Sequence, residues 1–307
     1  MIELKGVSKF FSQKQALGEI NLSIASGKVF GLIGPNGAGK TTLIRILNQI
    51  LEPSSGEVII GGLPLNSAHV RSFGYLPEER GLYREMKVID HLVFLGQIRG
   101  LKKAEAYQAA EFWLNKFEIH AWCNKRIDAL SKGMAQKVQF IGSVVHDPTI
   151  IILDEPLSGF DPINIQLMLN QIQAFKDQGK TIIFSTHNMN SVEEVCDEVA
   201  LINQGKLIAN SQVHALRNQF KNGAFKIRYK GNQIALANAL WTDFELIKTT
   251  DLGEEWHEAL IQSRRGQQFN DVYAALSNAI QFQSIEELLP SMQDIFVKLV
   301  TENNHEK

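Results

Sequence analysis

The segment from Val29 to Ile46 constrains the fold of this chain more than any other segment. An apolar run, Val29 to Ile33, precedes a glycine-rich pattern, and an apolar helical pattern begins at Thr42 directly after it. The glycine-rich pattern is G-x-x-x-x-G-K-T, and its residues are Gly34, Pro35, Asn36, Gly37, Ala38, Gly39, Lys40 and Thr41. This order predicts a buried strand, a tight turn and the first turn of a helix.

A turn of this composition is suited to holding phosphate groups. Its backbone N–H groups point inward and, with the positive end of the following helix, they bind anionic oxygens. Lys40 would reach the β- and γ-phosphates of a nucleotide, and the Thr41 hydroxyl would bind Mg²⁺. A glycine-rich connection without a ligand is disfavoured, because the full pattern and both of its flanks agree. The loop, with Thr42 beside it, therefore predicts a nucleotide site.

A second motif separates the classes of nucleotide-binding protein. The apolar run Ile150 to Leu153 ends at Asp154 and Glu155. An aspartate at the end of a buried strand can bind Mg²⁺, and the adjacent glutamate can orient or deprotonate an attacking water. A strand followed by an ordinary polar turn is the alternative, which the upstream loop disfavours. We therefore expect ATP hydrolysis without a covalent intermediate.

The order of apolar and helical patterns predicts an α/β fold. Strands alternating with helices imply a parallel sheet with helices on both faces, and ligands on such sheets gather at the carboxyl ends of the strands. Gly34, Asp154 and His187 all fall at predicted strand ends. The predicted strands cover residues 2–7, 17–24, 149–153 and 181–186, with a hairpin over 199–209. The predicted helices cover 88–124 with a break near 100–102, 131–145, 162–178 and 192–197.

A composition change near residues 220–223 divides the chain. We expect a nucleotide-binding domain over residues 1–220 and a compact accessory αβ domain over residues 221–307, a size within the usual domain range. The second domain contains no catalytic motif. Its predicted strands are 225–229, 244–249 and 256–263, and its predicted helices are 233–240, 269–279 and 291–300.

Charge and cysteine content exclude several classes of function. The chain has 31 basic and 33 acidic residues, so no global field attracts it to nucleic acid or anionic lipid. Cys123 and Cys196 have no partner at metal-ligand or redox spacing, which is typical of reduced thiols in a cytoplasmic protein. The chain has no secretory start and no uncharged apolar run of about 18 residues. We therefore expect any membrane role to come through a partner.

Further motifs resemble those of the ATP-binding subunits of ABC transporters. Leu130-Ser131-Lys132-Gly133-Met134 stands where that family has its L-S-G-G-Q signature, upstream of the strand that ends at Asp154. Ser158-Gly159-Phe160-Asp161 resembles the family's D-loop, and Ser185-Thr186-His187 resembles the segment of its switch histidine. The resemblance covers about residues 2–210. It implies a P-loop NTPase core of the RecA-like type, with an antiparallel β subdomain and a helical subdomain.

Two more positions of the resemblance concern the nucleotide itself. Phe11 aligns with the aromatic residue that stacks on adenine, and Phe10 is a competing candidate, since strand alternation lets only one of them face the nucleotide. Tyr75-Leu76-Pro77-Glu78 aligns with the segment that carries the family's Q-loop glutamine. The resemblance thus implies ATP and Mg²⁺ as cofactors, with Thr41, Asp154 and Glu78 as candidate metal ligands.

The family's mechanism assigns roles to these motifs. The resemblance implies that two such domains face each other head to tail, so that Ser131 and Gly133 of one touch the γ-phosphate held by Lys40 of the other. Glu155 and His187 would be catalytic, His187 as the γ-phosphate sensor. A second ATPase chain, identical or different, would complete two sites, and a separate membrane permease would bind them at the cytoplasmic face of the membrane. Nucleic acid is not an expected partner.

This sequence departs from the family pattern at three places. Glu78 replaces a glutamine, which adds negative charge beside ATP but should bind the cation more strongly. Lys132 and Met134 replace glycine and glutamine in the signature; Lys132 would either contact phosphate across the dimer or be solvated. Phe11 lacks the hydroxyl of the tyrosine often found there, although its ring can still stack.

A narrower resemblance indicates the direction of transport. The segment Gly74-Tyr75-Leu76-Pro77-Glu78-Glu79-Arg80-Gly81-Leu82-Tyr83, with the C-terminal segment Gln293-Asp294-Ile295-Phe296, is similar to bacterial sodium-efflux-type exporter ATPases that carry a C-terminal accessory domain. This favours export and leaves the substrate open. The accessory domain would stabilise the dimer, regulate hydrolysis, touch the permease, or serve only as a structural extension.

Three rival classes are weighed against this interpretation. A GTPase would need an Asn-Lys-x-Asp loop after a strand, and the nearest match, Asn115-Lys116-Phe117-Glu118, lies within a helical pattern. A soluble ABC protein of ribosomes or DNA repair would usually have two ATPase cores or a long coiled coil, and this chain has one core and no sustained heptads. A module that binds ATP without hydrolysing it is disfavoured by Glu155 and His187.

Overall fold

The computed structural model describes residues 1–79, 81–240 and 242–305. Arg80, within the segment that favours export, lies outside the described residues. The chain divides into two compact units, Met1–Val213 with the segment that begins at Phe296, and His214–Ile295. The division into domains 1–220 and 221–307 inferred from composition stays a prediction about which parts fold on their own.

The first unit contains two sheets and a set of helices. Its strands are β1 (Ile2–Phe11), β2 (Lys14–Ile24), β3 (Val29–Ile33), β4 (Ser55–Ile60), β5 (Leu63–Pro64), β6 (Phe73–Leu76), β7 (Ile150–Asp154), β8 (Thr181–Thr186), β9 (Glu198–Asn203) and β10 (Lys206–Gln212). Its helices are α1 (Lys40–Leu47), α2 (Ser67–Arg71), α3 (Val88–Ile98), α4 (Lys103–Lys116), α5 (Lys132–Val144), α6 (Pro162–Asp177) and α7 (Met189–Val195), with short 3-10 helices at His120–Trp122 and Ile127–Ala129.

The larger sheet carries the predicted nucleotide loop. Its strand order is β10-β9-β3-β8-β7-β6, and β9, β3, β8, β7 and β6 run parallel to one another. β3 is buried at every residue, as are β8 and all of β7 except its first residue, which explains their continuous apolar sequences. The predicted α/β class with a parallel sheet core is confirmed.

A smaller antiparallel sheet packs beside the nucleotide loop. Its order is β2-β1-β4-β5, and one buried apolar cluster contains residues of this sheet, of α1 and of the parallel strands. Leu17, Leu43 and Phe30 are representative members, each at most 1% exposed. Burial of this cluster fixes the turn between β1 and β2 beside the start of α1.

The helices α4, α5 and α6 share an aromatic cluster. The ring centroids of Phe117 and Phe140 lie 5.4 Å apart, and those of Trp113 and Phe175 lie 5.6 Å apart. α5 also packs closely on β6, since a Cβ atom at Gly74 would lie 2.5 Å from the carbonyl oxygen of Ser143. This contact holds the segment after β6 next to α5. In the part of the chain that the structure covers, no helix has the length and apolar character to cross a membrane.

The second unit is a four-stranded antiparallel sheet with two helices. In chain order its elements are β11 (Ala224–Lys230), α9 (Gln233–Leu240), β12 (Phe244–Gly253), β13 (Trp256–Ser263), α10 (Phe269–Leu276) and β14 (Gln281–Leu288). The strand order β12-β13-β11-β14 makes this a split βαβ, or ferredoxin-like, arrangement. Phe225, Ile227 and Tyr229 alternate inward from β11 to form its core. α8 (Val213–Gln219) and α11 (Met292–His305) begin in one unit and end in the other.

Candidate functional site

Three adjacent parallel strands bring the predicted catalytic residues to one edge of the sheet. β8 lies between β3 and β7, with Ile33 paired to Thr186 and Asp154 paired to Ser185. The residues that follow these strands are therefore neighbours, namely Gly34, His187 and Glu155. β6 ends on the far side of β7 and leads into Glu78.

A cavity of about 640 Å³ lies at this edge. Most of the predicted ATP-binding and catalytic residues line it, whereas Gly34 and Pro35 are not among the lining residues and accept hydrogen bonds from Lys40. The predicted residues that line the cavity are Phe11, Asn36, Gly37, Ala38, Gly39, Lys40, Thr41, Thr42, Glu78, Asp154, Glu155, Ser158 and His187.

Two glycines of the loop are required by lack of space. A Cβ atom at Gly34 would lie 2.1 Å from the carbonyl oxygen of Ile202, and one at Gly39 would lie 2.7 Å from Cδ2 of Leu17. Gly39 also has a φ of 114°, a conformation that side chains of L-residues rarely adopt. The loop can therefore pass close to β9 and β2 only with glycine at these positions.

The loop ends at the N-terminus of α1, which is open to an anion. Gly39, the N-cap, offers no side-chain hydrogen bond, and the first turn of α1 contains no acidic residue. The first N–H groups of a helix lack partners within the helix and carry the positive end of its dipole. These groups can donate hydrogen bonds to phosphate oxygens in the cavity.

Lys40 is a buried cation of the cavity, and it is held by the loop itself. Its side chain is buried, and Nζ donates hydrogen bonds to the carbonyl oxygens of Gly34 at 2.7 Å and of Pro35 at 3.2 Å. Burial lowers the pKa of Lys40, and the charges of Glu155 and Asp154 oppose that shift. A bound anion would favour its charged form in the same way.

Asp154 has an unused acceptor in a buried position. It is 1% exposed, and Oδ1 accepts a hydrogen bond from the Ser185 hydroxyl at 2.5 Å. Oδ2 has no hydrogen-bond partner among the described residues. A buried carboxylate oxygen without a partner is costly unless a cation or a donor satisfies it. Asp154 and the Thr41 hydroxyl, which lines the same cavity, thus fit a Mg²⁺ ion.

Glu155 and His187 form a pair. Oε2 of Glu155 lies 2.9 Å from Nδ1 of His187. The backbone N–H of Glu155 donates to Ser185, with distances of 3.2 Å to its carbonyl oxygen and 3.1 Å to its hydroxyl. Glu155 has a φ of 50°, a strained backbone conformation for a non-glycine residue. This conformation changes the direction of the side chain at the end of β7. The carboxylate is therefore held in place at the floor of the cavity.

Phe11 and Glu78 both line the cavity. Phe11, 45% exposed, is among the lining residues, and Phe10 is not. Nζ of Lys9 lies 5.4 Å from the centroid of the Phe11 ring, which is a cation–π contact. Glu78 is exposed and reaches the same cavity from the loop after β6.

Several lining residues were not predicted from the sequence. They are Lys14, Gln15, Ala16, Gln204 and Gly205. The N–H of Gly205 donates to the carbonyl of Ala38 at 2.8 Å, and the carbonyl of Gly205 accepts from Gly18 at 2.7 Å. The turn after β9 thus ties the nucleotide loop to β2. The sequence signal for Gln204 and Gly205 is a hairpin turn after a strand that lies next to β3, because such a turn lies at this edge of the sheet.

The signature segment lies apart from this cavity. Ser131 is the N-cap of α5, and its hydroxyl accepts from the N–H of Met134 at 3.3 Å. Leu130, Ser131, Gly133 and Met134 are not among the residues that line the cavity, while Lys132 lines a neighbouring cavity of about 230 Å³. One chain therefore brings the loop, Asp154, Glu155 and His187 together and leaves the signature outside.

The two D-loop residues have different surroundings. Ser158 lines both cavities, and its N–H donates to the carbonyl of Glu155 at 3.2 Å. Asp161 is the N-cap of α6 and accepts from the N–H and the side-chain amide of Asn164, at 3.0 and 2.6 Å. These hydrogen bonds hold the pKa of the Asp161 carboxyl below its ordinary value. A capping role alone accounts for an aspartate at position 161.

Comparison with known proteins gives two matches to family models. The model described as ABC transporter matches residues 17–158, and the model described as the C-terminal domain of DrrA1-3-like ATP-binding proteins matches residues 212–300. The first match spans the nucleotide loop, the signature segment and Glu155. The second spans the whole of the second unit.

Curated relatives and a solved structure agree with these matches. An uncharacterized ABC transporter ATP-binding protein from Methanocaldococcus jannaschii is 46% identical over 67% of this chain and 76% of its own length. Nod factor export ATP-binding protein I from Rhizobium sp. (strain N33) is 31% identical over 70% of this chain and 72% of its own length. A solved structure of an ATP-binding subunit of an ABC transporter is 30% identical, covers 72% of this chain and 93% of its own, and has a TM-score of 0.67.

Proposed function

This chain belongs to the family of ABC transporter ATP-binding subunits, and on that premise we propose that it uses ATP hydrolysis to drive export through a permease on a separate chain. Membership of the family makes the chain an ATPase. The direction of transport, the partner and the roles of individual residues form the proposal. The transported substrate is contacted by the permease and is left open.

One observation carries the proposal. A buried cation, Lys40, a buried carboxylate with a free oxygen, Asp154, and the Glu155–His187 pair all line a single cavity at the carboxyl ends of adjacent parallel strands. The open N-terminus of α1 faces phosphate, and a carboxylate base stands where an attacking water can be bound. This set of groups fits phosphoryl transfer to water better than phosphate binding alone.

Each group of the cavity has a role in the proposal. Phe11 stacks on the adenine, and the N–H groups of residues 34 and 36–42 together with Lys40 bind the phosphates. Glu155 accepts the proton of the attacking water, and His187 orients that water and the γ-phosphate. Thr41, Asp154 and Glu78 would hold Mg²⁺, which neutralises charge on the phosphate oxygens.

The position of the signature supports a site that two chains complete. Leu130, Ser131, Lys132, Gly133 and Met134 surround the N-terminus of α5, whose exposed start is suited to contact phosphate. Because this segment lies outside the cavity of its own chain, we propose that it closes the cavity of a second ATPase chain. That chain is either a second copy or a related subunit.

The relatives support export and a location at the membrane. The export named for the Rhizobium relative, and the match to a DrrA1-3-like C-terminal domain, support an exporter. We place the chain at the cytoplasmic face of the membrane, bound there through its permease. The near balance of 31 basic and 33 acidic residues supports the absence of nucleic acid among its partners.

A direct test uses the purified chain and the Lys40→Ala variant. The wild type should hydrolyse ATP in the presence of Mg²⁺, and Lys40→Ala should lose nucleotide binding because the phosphates lose their buried cation. Hydrolysis by wild type no faster than by Lys40→Ala would contradict the enzymatic part. The proposed permease is tested by affinity purification from membranes of the organism that encodes the chain. An integral membrane protein should be recovered with the chain.

A further inference from the structure

One face of α5 contacts two loops of its own chain, the loop after β6 and the segment after β7. Lys132, Gln136 and Gln139 are spaced four and three residues apart, which places them on the same side of a helix. All three line the cavity of about 230 Å³ that also contains Glu78, Asp154 and Glu155.

Gln139 holds the loop that carries Glu78. Its side-chain Nε2 donates to the carbonyl oxygens of Pro77 at 3.0 Å and of Glu79 at 3.1 Å. These two carbonyl groups flank Glu78 on either side. A single amide that holds the carbonyl groups of both neighbouring residues also fixes where the Glu78 side chain starts, although Glu78 itself is exposed.

The other two residues of this face hold the segment after β7. Nε2 of Gln136 donates to the carbonyl of Pro156 at 3.2 Å, directly after Glu155. Lys132 packs over Gly159, where an added Cβ would lie 2.9 Å from Cε of the lysine. The same helix face therefore touches both carboxylate-bearing loops of the nucleotide site.

We propose that Gln139 is a positioning residue that sets the placement of Glu78 in the ATP site of its own chain. The inference rests on the proposed function, in which Glu78 binds Mg²⁺. It gives α5 a task in its own chain besides the signature at its N-terminus. The competing explanation is that the two hydrogen bonds of Gln139 only stabilise the fold.

A double-mutant cycle separates these explanations. Gln139→Met keeps the length of the side chain and removes the donor, and Glu78→Gln removes the carboxylate that the donor positions. The readout is the Mg²⁺ concentration for half-maximal effect, measured both by ATP hydrolysis and by binding of a fluorescent ATP analogue, in the wild type, each single variant and the double variant. We expect Gln139→Met to raise this concentration by about threefold or more, and to cause no further rise in the Glu78→Gln background, since coupled residues are not additive.

A matched control lies on the same helix. Nζ of Lys137 donates to the carbonyl of Phe117 at 3.3 Å, so Lys137→Met removes a similar hydrogen bond that does not reach the ATP site. It should leave the Mg²⁺ dependence unchanged. If Gln139→Met does not fold, Gln139→Ala, which removes the amide without filling its place, is carried through the same cycle.

The possible outcomes lead to different conclusions. Gln139→Met overturns the positioning role if it raises the half-maximal Mg²⁺ concentration equally in the wild-type and Glu78→Gln backgrounds, or in neither. In that case hydrolysis by the wild type still supports the proposed function. A rise that also appears in Lys137→Met assigns the effect to stability of α5 and overturns the inference. Absence of hydrolysis in the wild type overturns the proposed function, and the inference with it.

Discussion

Oε2 of Glu155 lies 2.9 Å from Nδ1 of His187, although the two residues are separated by 32 positions in the chain. The pair exists because β7 and β8 are neighbours in the parallel sheet and end at the same edge. The Glu155 side chain is 10% exposed and that of His187 is 66% exposed. The glutamate is thus the fixed partner, and the histidine is free to reach toward the cavity.

Replacing Glu155 with glutamine should separate binding from hydrolysis. The amide keeps the shape of the side chain but cannot accept a proton from water, so we expect single-turnover hydrolysis to fall by about 10²- to 10⁴-fold. ATP affinity, measured with a fluorescent ATP analogue, should change by less than about threefold, since Glu155 makes no contact that binding requires. Equal hydrolysis rates in Glu155→Gln and wild type would remove Glu155 from the mechanism.

The loop glycines should differ sharply in their tolerance of alanine. Gly34→Ala places Cβ 2.1 Å from the carbonyl of Ile202, so we expect it to cost about 3 kcal/mol of stability or more and to abolish ATP binding. Gly37→Ala meets no atom within 4 Å, and only its φ of 75° opposes the substitution.

Urea unfolding and nucleotide binding of both variants check this prediction. Gly37→Ala should lose about 1 kcal/mol, the cost of holding an alanine in a left-handed conformation. Similar losses in the two variants would show that backbone conformation, rather than the contact with β9, explains why Gly34 is glycine.

The motifs with fixed spacing could be predicted from the sequence because their contacts are local. Val29 to Thr42 form one continuous strand, turn and helix start, and the continuous apolar runs before Glu155 and His187 identify buried parallel strands. Once these strands are placed in one parallel sheet, their carboxyl ends must meet. Most of the cavity could therefore be predicted without coordinates.

The remaining parts depend on contacts between distant segments. Gly205 reaches the cavity because β9 pairs with β3, and nothing in its local sequence specifies that pairing. β14 was missed because its alternation is weak, with Phe282 and Ile285 only half buried. β6 was missed because it has only four residues, one of which is Gly74. The grouping of the segment from Phe296 with the first unit is likewise a long-range property.

Glu78→Gln should change the Mg²⁺ dependence of hydrolysis. A carboxylate binds Mg²⁺ more strongly than an amide does, so its loss should raise the Mg²⁺ concentration for half-maximal activity, by about tenfold. Glu79→Gln is the matched control, because Glu79 carries the same charge one residue away and is not among the residues that line the two cavities. An equal shift in both variants would assign the effect to net charge rather than to a ligand position.

Acid sensitivity should arise from a histidine outside the ATP cavity. His91 is 0% exposed, and neither ring nitrogen has a hydrogen-bond partner among the described residues. Burial lowers its pKa to about 4, from an ordinary value near 6.5. Below pH 6.5 the unfolded chain binds a proton that the folded chain does not, so stability falls as the pH drops from about 6.5 toward 4.

The variant His91→Leu isolates this contribution. At pH 5 the buried imidazole should cost about 2 kcal/mol of stability relative to pH 7, and His91→Leu should remove that part of the pH dependence. The pKa of His146 is also lowered to about 4 by burial, so His146 should still contribute its own loss of stability between pH 7 and pH 5 in this variant. Urea unfolding at pH 7 and pH 5 measures the difference, with His214→Gln as a control because His214 is exposed. If His91→Leu loses as much stability between these pH values as the wild type, the acid sensitivity lies elsewhere, because a neutral leucine has no proton to bind.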